Sequence, residues 1–336
     1  MSRDGLVVLA ARGFLSALGT WKALLLALAL NAALAFAVVR PVGVALHQTL
    51  DRSPWADVLL KSADATFFVH FTRQHPDVLG NVATAEDLVT GVSPSRRGGD
   101  VTLAKLLPKG GAMTSLLAFG MLNLALASLL AGGFAGRFGA SKDRASLSAF
   151  AADCGTYGLS SLVLGALTFG LVVAAWRWLY VGTGQLYDPD DFRYEWQAVL
   201  LMLLRLGLFL VAAGTARALA AFARASMGLA GSPNLVRALG QSVGTILRRP
   251  ARALALEVIC GSAALAPLVL WGLFAPTWDG ADTSRFFMIL AGQQLVVFFR
   301  IAARAAHLGA ATAWLDRARA AASPALSETT PASFAA

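Results

Sequence analysis

The 336 residues are 57% hydrophobic and 14% charged, with a mean hydropathy of +0.64. Water-soluble domains carry about 25% charged residues, so a soluble globular fold is excluded. The net charge of +9 would suit a nucleic-acid binder, but its distribution along the chain assigns it to membrane orientation instead.

A helix needs roughly 20 apolar residues to cross about 30 Å of hydrocarbon. Six segments meet or approach that length: Trp21–Val39, Ala112–Phe134, Tyr157–Val181, Trp196–Ala216, Ala253–Trp271 and Phe286–Ala306. Before the first, Leu6–Leu18 has the pattern of an amphipathic helix that ends at Gly19-Thr20. This N-terminal run, with Arg3, Lys22 and Ala35-Phe36-Ala37, also has the parts of a cleavable leader. The internal repeat described below argues that it is retained.

Residues 50–111 form an enlarged outer loop. Ser53-Pro54 opens a helix carrying Trp55, Val58, Leu59, Phe67 and Phe71, which His75-Pro76 ends. Shorter helices are expected over Ala83–Val89 and Val101–Leu107, with Ser93–Gly99 as a flexible link. The apolar face of this insertion needs cover from the spans, from lipid or from a partner. His70 and His75 lie five apart, unlike the i, i+4 histidine pairing of helical metal sites, so no metal site is expected.

Further along, Leu147–Cys154 leads through Gly155-Thr156 into the third span. Ser232-Pro233 is expected to start a helix with Leu235, Val236, Leu239, Val243 and Ile246 on one face, and Arg248-Arg249-Pro250 then opens the fifth span. The sixth span is the weakest: Gln293 and Gln294 sit inside it and Arg300 and Arg304 follow, so it is expected to be shielded from lipid. Beyond Arg319 the Ala/Ser/Pro/Thr tail, 321–336, has the composition of a disordered segment.

Alternate loops are basic. Residues 217–252 hold six arginines and no acid, while 50–111 balance seven bases against seven acids, and Asp188, Asp190, Asp191 and Glu195 outweigh two bases in 176–195. The positive-inside rule then puts both termini in the cytoplasm. Trp21, Trp55, Trp176, Trp178, Trp196, Trp271 and Trp278 fall at or near span ends, as amphipathic rings do. The expected fold is an all-α membrane protein over residues 1–320, with six spans as three pseudo-repeated hairpins. A cytoplasmic amphipathic helix precedes each hairpin.

Charged and amide groups inside spans are functional suspects because burying them is costly. Arg205 and Glu257 are the charged pair, offset on antiparallel helices by on the order of 10 Å, so a direct bond is open but not forced. Snorkelling of Glu257 toward Arg249 and Arg252 is the alternative. Gln293, Gln294, Asn31 and Asn123 suit hydrogen bonds between helices. Gly132-Gly133 and Gly136 mark a close helix approach, since no strand precedes them to form a nucleotide loop. Cys154 and Cys260 imply no disulfide framework. No catalytic constellation or cofactor motif is found, so an enzyme is not expected.

The unit in which a basic-ended helix, Leu235–Pro250, leads into the span Ala253–Trp271 resembles uncharacterised bacterial six-span integral membrane proteins. These include proteins similar to the membrane domain associated with glycerophosphodiester phosphodiesterases. The resemblance implies a bacterial inner-membrane location but no phosphodiesterase activity, because this chain has no such soluble domain. The expected role is a non-enzymatic subunit or scaffold. Its partners would be membrane lipids, including anionic headgroups on the cytoplasmic side, and a protein or a second copy of the chain. The alternative is a transporter or lipid-handling protein with a polar cavity near Arg205, Glu257 and Gln293.

Overall fold

In the computed structural model, residues 5–50, 111–139, 146–183, 194–274 and 283–322 are described. Residues 51–110, which hold Trp55, Val58, Leu59, Phe67, Phe71 and both insertion histidines, lie outside them, as does the tail beyond Ala322. Among the described residues the chain is helical, without strands: α1 (Leu6–Gly19), α2 (Trp21–Leu50), α3 (Gly111–Gly139), α4 (Leu147–Ala175) continued by a π-helical segment (Trp176–Gly182), α5 (Glu195–Ala230), α6 (Leu235–Arg248), α7 (Pro250–Phe274) and α8 (Thr283–Ala322). In hydrocarbon each backbone N–H and C=O must be satisfied within its own segment, which leaves helices or closed barrels as spanning structures. Five of these helices are long and apolar enough to cross a bilayer, or six if the bent α1–α2 pair counts as one crossing. The protein is a helical, multi-pass membrane protein.

Two helices are far longer than their expected spans. At about 1.5 Å per residue, α5 with 36 residues and α8 with 40 reach well past 30 Å of hydrocarbon. Their continuations are also where the buried core lies. Phe222, Ala223, Ala225 and Met227 on α5, and Ala303, Ala306, Ala310 and Trp314 on α8, are almost fully buried. The more apolar halves expose Leu200, Leu203, Leu210, Phe287, Met288 and Leu295, as side chains solvated by lipid do. On α8, Phe287, Leu295 and Phe299 are exposed among the described residues.

Contacts divide the chain into two units, Met1–Leu28 with Ala125–Leu270 and Leu295–Ala336, and Ala29–Leu124 with Trp271–Gln294. In the second, Gly292 lies against the Trp271 indole, where a Cβ would clash. The first holds the core, built largely from alanine and glycine. Gly13 on α1 meets the Ala306 carbonyl and Ala310 of α8, and Gly309 returns the contact to Gly13. Gly132 abuts the Tyr157 backbone, while Gly133 and Gly136 abut Phe150, Cys154 and Asp153, so the expected close approach is that of α3 on α4. Gly228 of α5 packs on the Ala135 carbonyl of α3. Small residues let backbones approach closely enough for dispersion to hold helices together without a hydrophobic driving force.

Gly19-Thr20 breaks a helix, whereas Gly155-Thr156 does not. Thr20 donates its hydroxyl to the Ala17 carbonyl at 2.7 Å, and α1 and α2 meet at 76°. At Gly155-Thr156 the helix runs straight through, with the Thr156 hydroxyl on the Ala152 carbonyl at 3.0 Å. The α6 start also differs from expectation: the cap is Asn234, whose side chain accepts from the Arg237 N–H at 3.1 Å. Ser232 is unavailable because its N–H closes α5 on the Met227 carbonyl (3.3 Å), past the left-handed Gly231 (φ 61°). The packed face of α6 is Leu235, Ala238, Leu239, Ser242 and Ile246, and Val236 and Val243 are exposed.

Gly228→Ala is expected to lower the melting temperature of the detergent-purified protein, because the new methyl meets backbone. Gly155 has open space around it, so Gly155→Ala is expected to be neutral or stabilising by about 0.5–1 kcal/mol. A thermal shift series on the two variants checks both.

Candidate functional site

Several charged side chains of the first unit are tied between helices. Glu257, two turns into α7, is buried. Its Oε1 accepts from Arg217 Nε of α5 at 2.7 Å, and its Oε2 lies 3.0 Å from His307 Nδ1 of α8. One carboxylate thus joins three helices. Gly214 and Arg217, one turn apart on α5, frame it: a Cβ at Gly214 would sit 3.6 Å from Glu257 Cγ, in ordinary van der Waals contact. The His307 approach is close but off the ring N–H direction, and Glu257 Oε2 and His307 Nε2 are buried without a hydrogen bond among the described residues. Arg304, one turn before His307, stands within electrostatic reach of Arg217 and Arg300. The surroundings of Glu257 are therefore cationic.

Arg205 is held elsewhere. Its Nε donates to Thr183 Oγ1 at 3.0 Å, its Nη2 donates to the Tyr180 carbonyl, and its guanidinium lies 5.0 Å over the Tyr180 ring. Tyr180 stacks on Trp176 at 4.4 Å, and Trp176 meets Phe209 edge-on at 5.3 Å. The π-helical turn shifts carbonyls out of α register, a device common at functional sites. Here it offers Arg205 an oxygen and a ring face. A cation over an aromatic face contributes about 0.5–2 kcal/mol, so this arginine needs no acid.

Arg205 and Glu257 are not paired. The acid bonds Arg217, twelve residues further along α5, which is about 18 Å along the axis. The contacts of Glu257 come instead from Arg217 of α5 and His307 of α8. Asn31 and Gln294 are half-buried and Asn123 and Gln293 are exposed. All four belong to the second unit, and none makes a side-chain hydrogen bond among the described residues.

Three ties carried no sequence expectation. With the sixth span ended at Ala306, His307 falls just outside it. The available signal was its position amid Ala302, Ala303, Ala305, Ala306, Ala310 and Ala311, a stripe that had to face the core. Arg224, within the basic stretch 217–252, turns inward to Ser161 of α4: Nε to the hydroxyl at 2.8 Å and Nη2 to the carbonyl at 3.2 Å. Arg137 of α3 pairs with Asp153 of α4. Among the described residues no group of three or more His, Cys, Asp and Glu gathers as a metal site would require. Cys154 and Cys260 are free thiols.

No family model, curated protein or solved structure matches the chain.

Removing one partner of a buried ion pair strands the other and costs about 3–5 kcal/mol. Glu257→Ala is therefore expected to destabilise the protein by that order, and Arg217→Gln, at a half-exposed cation, by less. A double-mutant cycle on Glu257→Gln and His307→Gln, followed by thermal unfolding, should give a non-zero coupling. Additive losses would mean that the 3.0 Å contact carries no energy.

Proposed function

We propose that this chain is a non-enzymatic membrane subunit or scaffold, oriented with its basic loops and both termini in the cytoplasm. One observation carries the reading: the intramembrane charges Glu257 and Arg205 are engaged by neighbouring helices. Glu257 binds Arg217 and His307, and Arg205 binds Tyr180 and Thr183. A polar substrate path needs such groups facing a common space, whereas a scaffold needs them to fix helices against one another. The 50–111 insertion then supplies the outer contact for a partner through Trp55, Phe67 and Phe71. The six-span, three-hairpin layout and the bacterial inner-membrane location belong to this same proposal.

A second reading, transport, is favoured by one detail: Glu257 Oε2 and His307 Nε2 are buried without hydrogen bonds, as a proton-carrying pair would be between turnovers. Two measurements separate the readings. In proteoliposomes bearing an imposed potential, proton and sodium flux should equal that of empty vesicles, and a flux abolished by Glu257→Gln would assign transport instead. In intact cells, a photo-crosslinker at Phe67 should give one discrete protein adduct; adducts at neither Phe67 nor Trp55 would remove the insertion as a contact surface.

Orientation has its own test. With Cys154 and Cys260 replaced by serine, Ser95→Cys should react with an impermeant maleimide from outside, and Ser333→Cys only after permeabilisation. The opposite pattern would invert the topology.

A further inference from the structure

An open groove of about 610 Å³ runs between α4, α5 and α6, within the roughly 300–1,000 Å³ of ordinary ligand sites. Leu171, Ala174, Trp178, Ala212, Val243 and Leu247 line it. Its width comes from alanines on facing helices, Ala174 on α4 and Ala212 on α5, where larger side chains would close the gap. Thr215, the one hydroxyl among the lining side chains, spends its hydrogen on the Val211 carbonyl at 2.7 Å and leaves the groove only an acceptor. Water held there would have one acceptor where it needs two to four polar partners, and a site of this kind takes apolar matter instead.

From the α6 wall of the groove the chain passes into a basic stretch. Leu247 is followed at once by Arg248 and, across Pro250, by Arg252. Both are exposed, and neither meets an acidic side chain among the described residues. An unpaired guanidinium beside hydrocarbon is costly, and a phosphate is the anion that its planar fork of donors suits best. An apolar groove on two spanning helices, with two exposed arginines close by in the sequence that meet no acidic side chain among the described residues, matches one chemistry, an acyl chain joined to an anionic headgroup.

We propose that this groove binds an anionic phospholipid, one acyl chain lying along α4 and α5 and the phosphate on Arg248 and Arg252. The site rests only on the chain spanning a bilayer and stands whether or not the subunit reading does. A basic residue near an anionic headgroup contributes about 1 kcal/mol, or roughly fivefold in affinity, so two account for roughly 25-fold selectivity over a zwitterionic lipid of equal chain length.

Native mass spectrometry of the full-length protein tests this, after exchange into detergent with equal phosphatidylglycerol and phosphatidylcholine. One retained phosphatidylglycerol is expected, undisplaced by millimolar inorganic phosphate. Arg248→Gln with Arg252→Gln should abolish the headgroup preference while keeping a bound lipid. Ala212→Phe, which fills the groove, should lose the lipid of either kind, and Leu171→Trp serves if that variant does not fold. Equal retention of both lipids by the unaltered protein would overturn the proposal, as would retention untouched by groove filling or displacement by phosphate alone.

Discussion

In hydrocarbon an apolar side chain gains little by leaving lipid for another apolar side chain. Helices there must be held by backbone proximity and by polar contacts, and the described part of this protein follows that constraint closely. Its core consists largely of alanine and glycine, with Gly13 of α1 against α8, Gly132 of α3 against α4 and Gly228 of α5 against α3. Many of its leucines, which would fill a soluble core, lie outside, where the bilayer solvates them. The carboxylate of Glu257 supplies what small residues cannot, a directional link among α5, α7 and α8.

The features set by local chemistry were legible in the sequence. Apolar length gave the spanning helices, Gly19-Thr20 gave the corner between α1 and α2, and Gly132-Gly133 gave the α3–α4 contact. Features set by what lies opposite were not. The extension of α5 to Ala230 and of α8 to Ala322 follows from alanine-rich stretches whose partners are distant in sequence. Asn234 displaced Ser232 as a cap because Gly231 and Ser232 were already engaged in closing α5. Arg224 reads as a surface charge in a basic loop, and its inward turn depends on Ser161, 63 residues away.

The same asymmetry governs the candidate site. Hydropathy singles out Arg205 and Glu257 as costly, but each finds relief in a group that hydropathy cannot see: a π-turn carbonyl and ring for one, a histidine beyond the expected span end for the other. Polar groups that stand out individually are here consumed pairwise in holding helices together, which is why the subunit reading rests on them. The open volume of the first unit lies instead among alanines, where a sequence offers no mark beyond small residues.

Arg205 and Arg224 both leave α5 for α4, at Tyr180 and Ser161. The spacing is nineteen residues on either helix, about 28 Å. Two staples that far apart fix the register of the pair, since a slide of one turn would break both. α4 and α5 therefore behave as a single mast of set length. A bilayer that thins or thickens around such a mast can be met by a change of tilt, not by shear between its two halves.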